Sequence, residues 1–369
     1  MKLSKTSKSL MLALLCASSV FAAQTSENSQ RLKKALKQYP EADANGDGVL
    51  TMKEAQDFKK KKGNKATKKQ VNYPVKPTFA NEKYGDYDRN ILDFWQADIK
   101  KPGPLLVYIH GGGFSSGSKE KLAGRGIIEK ALKKGIHVAS INYRYKCTSA
   151  EDLKDPQRTG LAGCFLDGAR AIQHIKYKAS EWNVDKERII VFGSSAGGGI
   201  ALFVGFYDDL ADPDAKDKVL RESSRVYAIG HMSSQPTYII EKWKDILGYS
   251  REDLEGVVTM EKAELPTNIK MGFSKESDLE TELGKKYLSI IDMQEHADPN
   301  DPPVFIFNSG KDAMPKHYGH IVHHPKLSMH LDQVCKTNKI ESKLVLGHGK
   351  RLDAYDELFQ WCMKQLGPN

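Results

Sequence analysis

Two glycine-bracketed motifs carry chemistry that can be read directly. Gly193-Ser194-Ser195-Ala196-Gly197 follows an apolar run at 188–192 and opens a stretch of small and apolar residues. Strand, sharp turn and helix in that order form the setting in which a G-x-S-x-G turn holds its central serine hydroxyl clear of the backbone. Glycines flank it because so tight a turn strains the backbone of the nucleophile and leaves no room for bulky neighbours. Ser195 is therefore the candidate nucleophile, and Ser194 is read as a small polar turn residue. Earlier in the chain, His110-Gly111-Gly112-Gly113-Phe114 follows a second apolar run at 105–109. Glycines there let backbone amides approach a developing oxyanion, the main electrostatic demand of acyl transfer. The amides of Gly112 and Gly113, joined by that of Ala196, are the expected donors. His110 is expected to bond its own loop and not to act as a base.

These motifs need elements to aim them. After an extended stretch at 90–95, strands are expected at 105–109, 136–143, 188–192 and 225–230, alternating with helices at 122–134, 161–182 and 196–208. The rhythm breaks between 232 and 302, read as a cap insertion, and resumes with strand 304–307, helix 320–338, strand 342–346 and helix 354–366. Strands followed by helices at this spacing predict an α/β fold, a mostly parallel sheet flanked by helices on both faces. Its chemistry belongs at the C-terminal ends of the strands.

With both glycine motifs in order, the stretch from about 84 to 366 resembles an α/β-hydrolase of the esterase/lipase group with a His-Gly-Gly-Gly oxyanion loop. Asp167-Gly168-Ala169-Arg170-Ala171-Ile172, then Asn183-Val184-Asp185 and Arg188-Ile189, are similar to the approach to this turn in secreted carboxylesterases of the feruloyl and acetyl-xylan type. Ser194 departs from the many relatives that carry Asp there. The resemblance implies a triad in the order serine, acid, histidine. It puts the acid just after strand 304–307 and the histidine after the next strand, which Asp312 and His348 satisfy, whereas Asp292, Asp298 and Asp301 precede that strand. Asp312 would orient the imidazole, and His348 would take the Ser195 proton and return it to the leaving alcohol.

His317, His320, His323 and His324 form a competing cluster. No carboxylate or cysteine shares a clear ligand spacing with them, so they are not read as a zinc site. Helix-start and surface roles are expected, with substrate contact by one of them as the alternative. The implied reaction is hydrolysis of a small-molecule or polysaccharide ester through an acyl-enzyme, with no organic cofactor. A prolyl-type peptidase and a non-catalytic, calcium-stabilised binding protein on the same scaffold stay as alternatives.

The N-terminal region carries a motif of another kind. Asp43, Asn45, Asp47, Val49, Thr51 and Glu54 fall at positions 1, 3, 5, 7, 9 and 12 of a loop with Gly48 at position 6. Oxygens at that spacing suit Ca2+: the glycine supplies the sharp turn, Val49 offers its carbonyl, and Glu54 can close the site with both oxygens. This EF-hand pattern sits in a helix-loop-helix module at 27–62, with Leu32, Leu36 and Tyr39 entering, Leu50 packing inward, and Ala55 and Phe58 leaving. A single loop implies a structural calcium site and not a paired sensor.

The 369 residues, 40% of them hydrophobic, exclude intrinsic disorder and low-complexity classes. Lys2, Lys5 and Lys8, an apolar run at 10–23 and Val20-Phe21-Ala22 read as a secretory signal peptide at 1–22, too short an apolar run for a membrane span. A secreted or periplasmic protein is expected, with a Lys-rich linker at 63–80 and a catalytic domain at 81–369. The net charge of +9 concentrates at Lys59 to Lys62, Lys65, Lys68 and Lys69, which would attract an acidic glycan. No motif for nucleic acid accompanies that charge. Export also predicts disulfides among Cys147, Cys164, Cys335 and Cys362, paired locally as Cys147 with Cys164 and Cys335 with Cys362.

Overall fold

The computed structural model describes residues 25–27, 29–55, 57–58, 73–250, 267–350 and 352–367. The expected leader, the lysines at 59–69 and part of the cap lie outside these residues. The chain divides into two compact units, Met1–Val71 and Asn72–Asn369.

Among the described residues the larger unit is built on ten strands: β1 (Phe79–Lys83), β2 (Ile91–Trp95), β3 (Gly103–Ile109), β4 (His137–Ile141), β5 (Tyr145–Lys146), β6 (Arg158–Thr159), β7 (Val184–Ser194), β8 (Ala228–Met232), β9 (Val304–Asn308) and β10 (Ser342–Leu346). Eight form one sheet in the order β1-β2-β4-β3-β7-β8-β9-β10, while β5 and β6 pair apart. From β4 to β10 all neighbours in that sheet run parallel, and β1 and β2 close one edge antiparallel.

The strands read as unbroken apolar runs because both faces are buried. Leu105, Val107, Ile109, Ile189, Val191, Val304 and Ile306 enter one core, beneath α2 (Leu161–Tyr177) and α3 (Ala196–Phe206). Their alternates Leu106, Tyr108, Ile190, Phe192, Phe305 and Phe307 enter the other, beneath α1 (Ile127–Leu132) and α5 (Ala354–Leu366). This is the α/β-hydrolase fold, the sheet flanked by helices as expected.

Several boundaries differ from the sequence reading for local reasons. The helix expected at 320–338 is two, Tyr318–Val322 and α4 (Pro325–Thr337). Pro325 has no N–H to continue the first helix and starts the second, capped by His324, whose ring accepts from the Lys326 N–H at 3.2 Å. The linker expected at 63–80 ends early. Tyr73 Oη donates to Asp93 Oδ2 at 2.7 Å, Trp95 Nε1 donates to the Val75 carbonyl at 2.8 Å, and Phe79 already begins β1.

The expected disulfides are overturned, since all four cysteines are free and buried. Cys335 packs in one core and Cys362 in the other, with the sheet between them. The Cys164 thiol donates to the Arg144 carbonyl at 3.3 Å. Burial pushes Cys335 up to about 12 and raises the other three, which disfavours the reactive thiolate at each.

In the smaller unit, helix Gln30–Gln38 leads to the loop, and Leu32, Ala42 and fully buried Leu50 form a core covered by Leu36, Tyr39, Ala55 and Phe58. Leu50 bonds Ser26 twice, by its N–H to Ser26 Oγ at 2.9 Å and by its carbonyl to the Ser26 N–H at 2.8 Å. No helix among the described residues is long and apolar enough to cross a membrane.

Candidate active site

β7 runs directly into α3, and Ser195 stands at the junction with φ +53° and ψ −126°. A side chain there is strained and persists only where its surroundings fix it. The Ser195 N–H donates to the Met232 carbonyl at 2.9 Å, and its own carbonyl accepts from Gly198 and Gly199 at 2.9 and 3.1 Å.

The flanking glycines serve close approach and not backbone freedom, since Gly111, Gly193 and Gly197 all avoid positive φ. A Cβ on Gly193 or Gly197 would fall 2.6 or 2.1 Å from the Ile109 carbonyl oxygen. One on Gly111 would fall 2.6 Å from the Ser194 carbonyl oxygen and 3.2 Å from Ser195 Cβ. Only bare backbone lets the loop after β3 press onto the turn.

That loop carries the expected donors, with Gly112 at φ +135° and Gly113 at φ +59°. The N–H groups of Gly112, Gly113 and Ala196 find no acceptor among the described residues. Behind them His110 is fully buried and stacked on Tyr143, ring centroids 4.4 Å apart. Arg89 Nη2 donates to His110 Nε2 at 3.2 Å, which makes Nδ1 the protonated nitrogen, donating to the Gly111 carbonyl at 2.9 Å. Burial pushes this imidazole down to about 3, and the charges of Arg89 and Lys121 act in the same direction, so His110 is neutral.

The loops carrying Asp312 and His348 lie side by side at the ends of β9 and β10. Gly347 N–H donates to the Asn308 carbonyl at 2.8 Å and Gly349 N–H to that of Ser309 at 3.0 Å. A Cβ on Gly349 would touch Lys311 Cβ at 3.5 Å. The side chains themselves are not joined. Asp312, 46% exposed, faces His324 Nε2 at 3.8 Å, and exposed His348, at φ +48°, makes no hydrogen bond among the described residues. Contacts linking Ser195, His348 and Asp312 are thus not formed in this conformation.

The other histidines are anchored. His324 caps α4 and its Nε2 donates to the Ala313 carbonyl at 3.1 Å. His317 Nδ1 accepts from the His320 N–H at 3.1 Å, and His320 Nε2 lies 2.9 Å from the Lys311 carbonyl. Half-buried His323 places Nδ1 2.7 Å from the carbonyl of Ser233, the residue after the Met232 that holds Ser195. Burial lowers its basicity. Arg89 and Tyr143 escaped the sequence reading because they meet the glycine loop from neighbouring strand ends, and Lys121 because no spacing marks the turn that brings it back onto the Gly111 carbonyl.

In the smaller unit, Gly46 and Gly48 take positive φ, and their N–H groups donate to Asp43 Oδ1 and Oδ2 at 2.9 and 2.8 Å. Asp47 Oδ1 accepts from Val49 N–H at 2.8 Å, its Oδ2 from Asn45 Nδ2 at 2.9 Å, and Glu54 Oε2 from the Thr51 hydroxyl at 2.7 Å. The donors are all oxygen, as a hard cation requires. They are turned onto the loop's own N–H and O–H groups, and among the described residues no three His, Cys, Asp or Glu side chains gather as metal ligands.

The family profile BD-FAE matches residues 92–319. A probable isoprenylcysteine alpha-carbonyl methylesterase of Oryza sativa subsp. japonica is 33% identical over 121 residues, 32% of this chain and 26% of that protein. Human neuroligin-2 is 30% identical over 112 residues, 30% of this chain and 13% of that protein. The chain therefore spans about a quarter or less of these two relatives' length. A solved truncated carbohydrate esterase from gut microbiota shares the fold, with a TM-score of 0.55, 17% identity, and coverage of 80% of this chain and 99% of that one.

Proposed function

Because the chain belongs to the BD-FAE family, we propose that it is a serine carboxylesterase working through an acyl-enzyme. The observation that carries this reading is Ser195, strained at the β7–α3 junction beside three backbone N–H groups with no acceptor among the described residues. Ser195 Oγ attacks the ester carbonyl, His348 takes its proton, and Asp312 orients the imidazole. The oxyanion lies against Gly112, Gly113 and Ala196, the alcohol leaves with the proton from His348, and water completes the cycle.

This assignment requires Asp312 to turn from His324 toward His348. The His324 ring is already bonded at both nitrogens, so Asp312 holds no hydrogen bond there and gives up little in turning. An acylated polysaccharide is the proposed substrate, a reading supported by the shared fold of the carbohydrate esterase. Export by the leader at 1–22, attraction of acidic glycan by the lysines at 59–69, and Ca2+ held by Asp43, Asn45, Asp47, Val49, Thr51 and Glu54 complete the proposal. The oxygen donor set supports the ion, and gathering it requires the carboxylates of Asp43, Asp47 and Glu54 to turn inward.

The unformed contacts of Asp312 and His348 favour a second reading, a binding protein that has kept the scaffold without the chemistry. Hydrolysis of a short-chain p-nitrophenyl ester, measured beside a peptide p-nitroanilide, separates the readings. The wild type should cleave the ester, Ser195→Ala should lose several orders of magnitude in kcat, and Ser194→Ala should keep most of it. A wild type inert toward both substrates points to the binding protein, and preference for the anilide points to a prolyl-type peptidase.

A further inference from the structure

The loop after β3 is pinned from behind by its carbonyls. Tyr143 Oη donates to the His110 carbonyl at 2.9 Å. The Gly111 carbonyl is held by His110 Nδ1–H at 2.9 Å and by Lys121 Nζ at 3.3 Å. The Gly112 carbonyl accepts from the N–H groups of Ser115 and Ser116 at 3.1 and 3.0 Å and from Ser116 Oγ at 3.0 Å. A peptide group is planar and trans, so its C=O and N–H point in opposite directions. Holding the Gly111 carbonyl therefore aims the Gly112 N–H, and holding the Gly112 carbonyl aims that of Gly113.

The two grips differ in charge. Gly112 is held by neutral donors, whereas Gly111 is held by an ammonium and by an imidazole that itself accepts from a guanidinium. Arg89 is committed to this region: Nε donates to the Tyr143 carbonyl at 2.8 Å, Nη2 to the Gly117 carbonyl at 3.1 Å and to His110 Nε2 at 3.2 Å. Its plane covers the Tyr145 ring at 3.7 Å, and no carboxylate among the described residues pairs with it. The nearby acid Glu120 bonds Lys119 at 3.1 Å. A half-buried guanidinium without a counter-ion is costly to maintain, and one of its donations goes to the imidazole that holds the Gly111 carbonyl.

We propose that Lys121, with Arg89 acting through His110, is a positioning residue that aims and polarises the Gly111–Gly112 peptide, strengthening the Gly112 N–H as an oxyanion donor. The inference rests on the reading of Gly112 as such a donor. Positive charge at the carbonyl end draws electron density from the amide nitrogen and makes its hydrogen a better donor, a gain felt when the substrate oxygen becomes negative.

The test uses the full chain with Lys121→Met and Lys121→Arg, Lys121 being exposed enough for both to fold. On a p-nitrophenyl ester, Lys121→Met should lower kcat about three- to tenfold with KM unchanged, and Lys121→Arg should restore it. A trifluoromethyl ketone adds Ser195 Oγ to its carbonyl carbon, passing the serine proton to the base and leaving an oxyanion. Its affinity should fall by the same factor, while the corresponding alcohol binds unchanged. Arg89→Gln, assayed where its circular dichroism matches wild type, should lower kcat through the same peptide. An active wild type with Lys121→Met unchanged in both kcat and ketone affinity, or with a loss confined to KM, overturns the inference alone. A wild type that neither cleaves the ester nor takes up a fluorophosphonate at Ser195 overturns the underlying reading as well.

Discussion

Asp312 faces His324 across 3.8 Å, although the next loop over, bonded to its own through Gly349 and Ser309, carries His348. His324 is occupied twice, as the cap of α4 and as a donor to the Ala313 carbonyl. An imidazole committed in this way cannot accept a proton from Ser195 without breaking a helix start. On the proposed mechanism, the candidates for the general base are therefore His348, exposed and without a hydrogen bond among the described residues, and His323, oriented by the Ser233 carbonyl.

His348→Ala is expected to lower kcat by several orders of magnitude, as Ser195→Ala does, because triad members act as a unit. His323→Ala should shift KM or melting temperature and leave kcat within about tenfold. Steady-state kinetics on one ester decides the matter, since wild-type kcat in His348→Ala would move the base to His323.

Gly111→Ala should cost about 1–3 kcal/mol and most of the activity, because its methyl meets the Ser194 carbonyl, which is backbone and cannot turn aside. Gly113→Ala meets open space at φ +59° and suffers only the strain of that conformation, about 1–2 kcal/mol. Equal retention of kcat in the two variants, read beside their thermal melts, would refute the role of close approach.

Acid should destabilise the larger unit through its buried histidines. His110 is pushed down to about 3, and His174 and His231 to about 4, chiefly by burial, from an ordinary value of 6.5. His231 Nδ1 has no hydrogen-bond partner among the described residues, so a proton there would be buried without compensation, whereas His174 Nε2 has only the Glu82 carboxylate, 3.7 Å away. The unfolded chain takes up protons near pH 6.5 that the folded chain refuses. The stability from these neutral rings is full above that pH and declines as pH falls toward 4. Melting temperature followed from pH 7.5 to 4 should fall, less steeply in His231→Gln, and a slope unchanged by that substitution would contradict the assignment.

Calcium should stabilise the smaller unit without switching the enzyme on. Extracellular sites of this kind bind at roughly 10⁻⁴–10⁻³ M, and binding to the folded loop alone adds stability by mass action. Melting curves with Ca2+ and with EDTA should separate for wild type and coincide for Asp43→Ala/Glu54→Ala, with ester turnover equal throughout. Collapse of turnover on chelation would show that the module supports the active site.

The sequence by itself determined most of the strands and the strand-turn-helix around Ser195, because their signals are local. Residues 342–346 and 354–366 are strand and helix as their patterns predict, and the glycines at 111, 193 and 197 mark where the loop after β3 and the turn must touch. Helix interruptions were less legible. Pro325 divides one expected helix, yet the pattern of apolar residues runs across it.

Tertiary structure alone decided what crosses the sheet or joins distant loops. Cys335 and Cys362 sit on opposite faces, which chain proximity cannot reveal, so the expected pairing fails for a reason of layer and not of distance along the chain. Arg89 reaches His110, Gly117 and Tyr143 because β2, β3 and β4 bring their ends together. The same holds for Asp312 and His324. Chain order placed Asp312 in the loop beside that of His348, but side-chain rotation about a few bonds, settled by competing hydrogen bonds in space, decided which imidazole it faces.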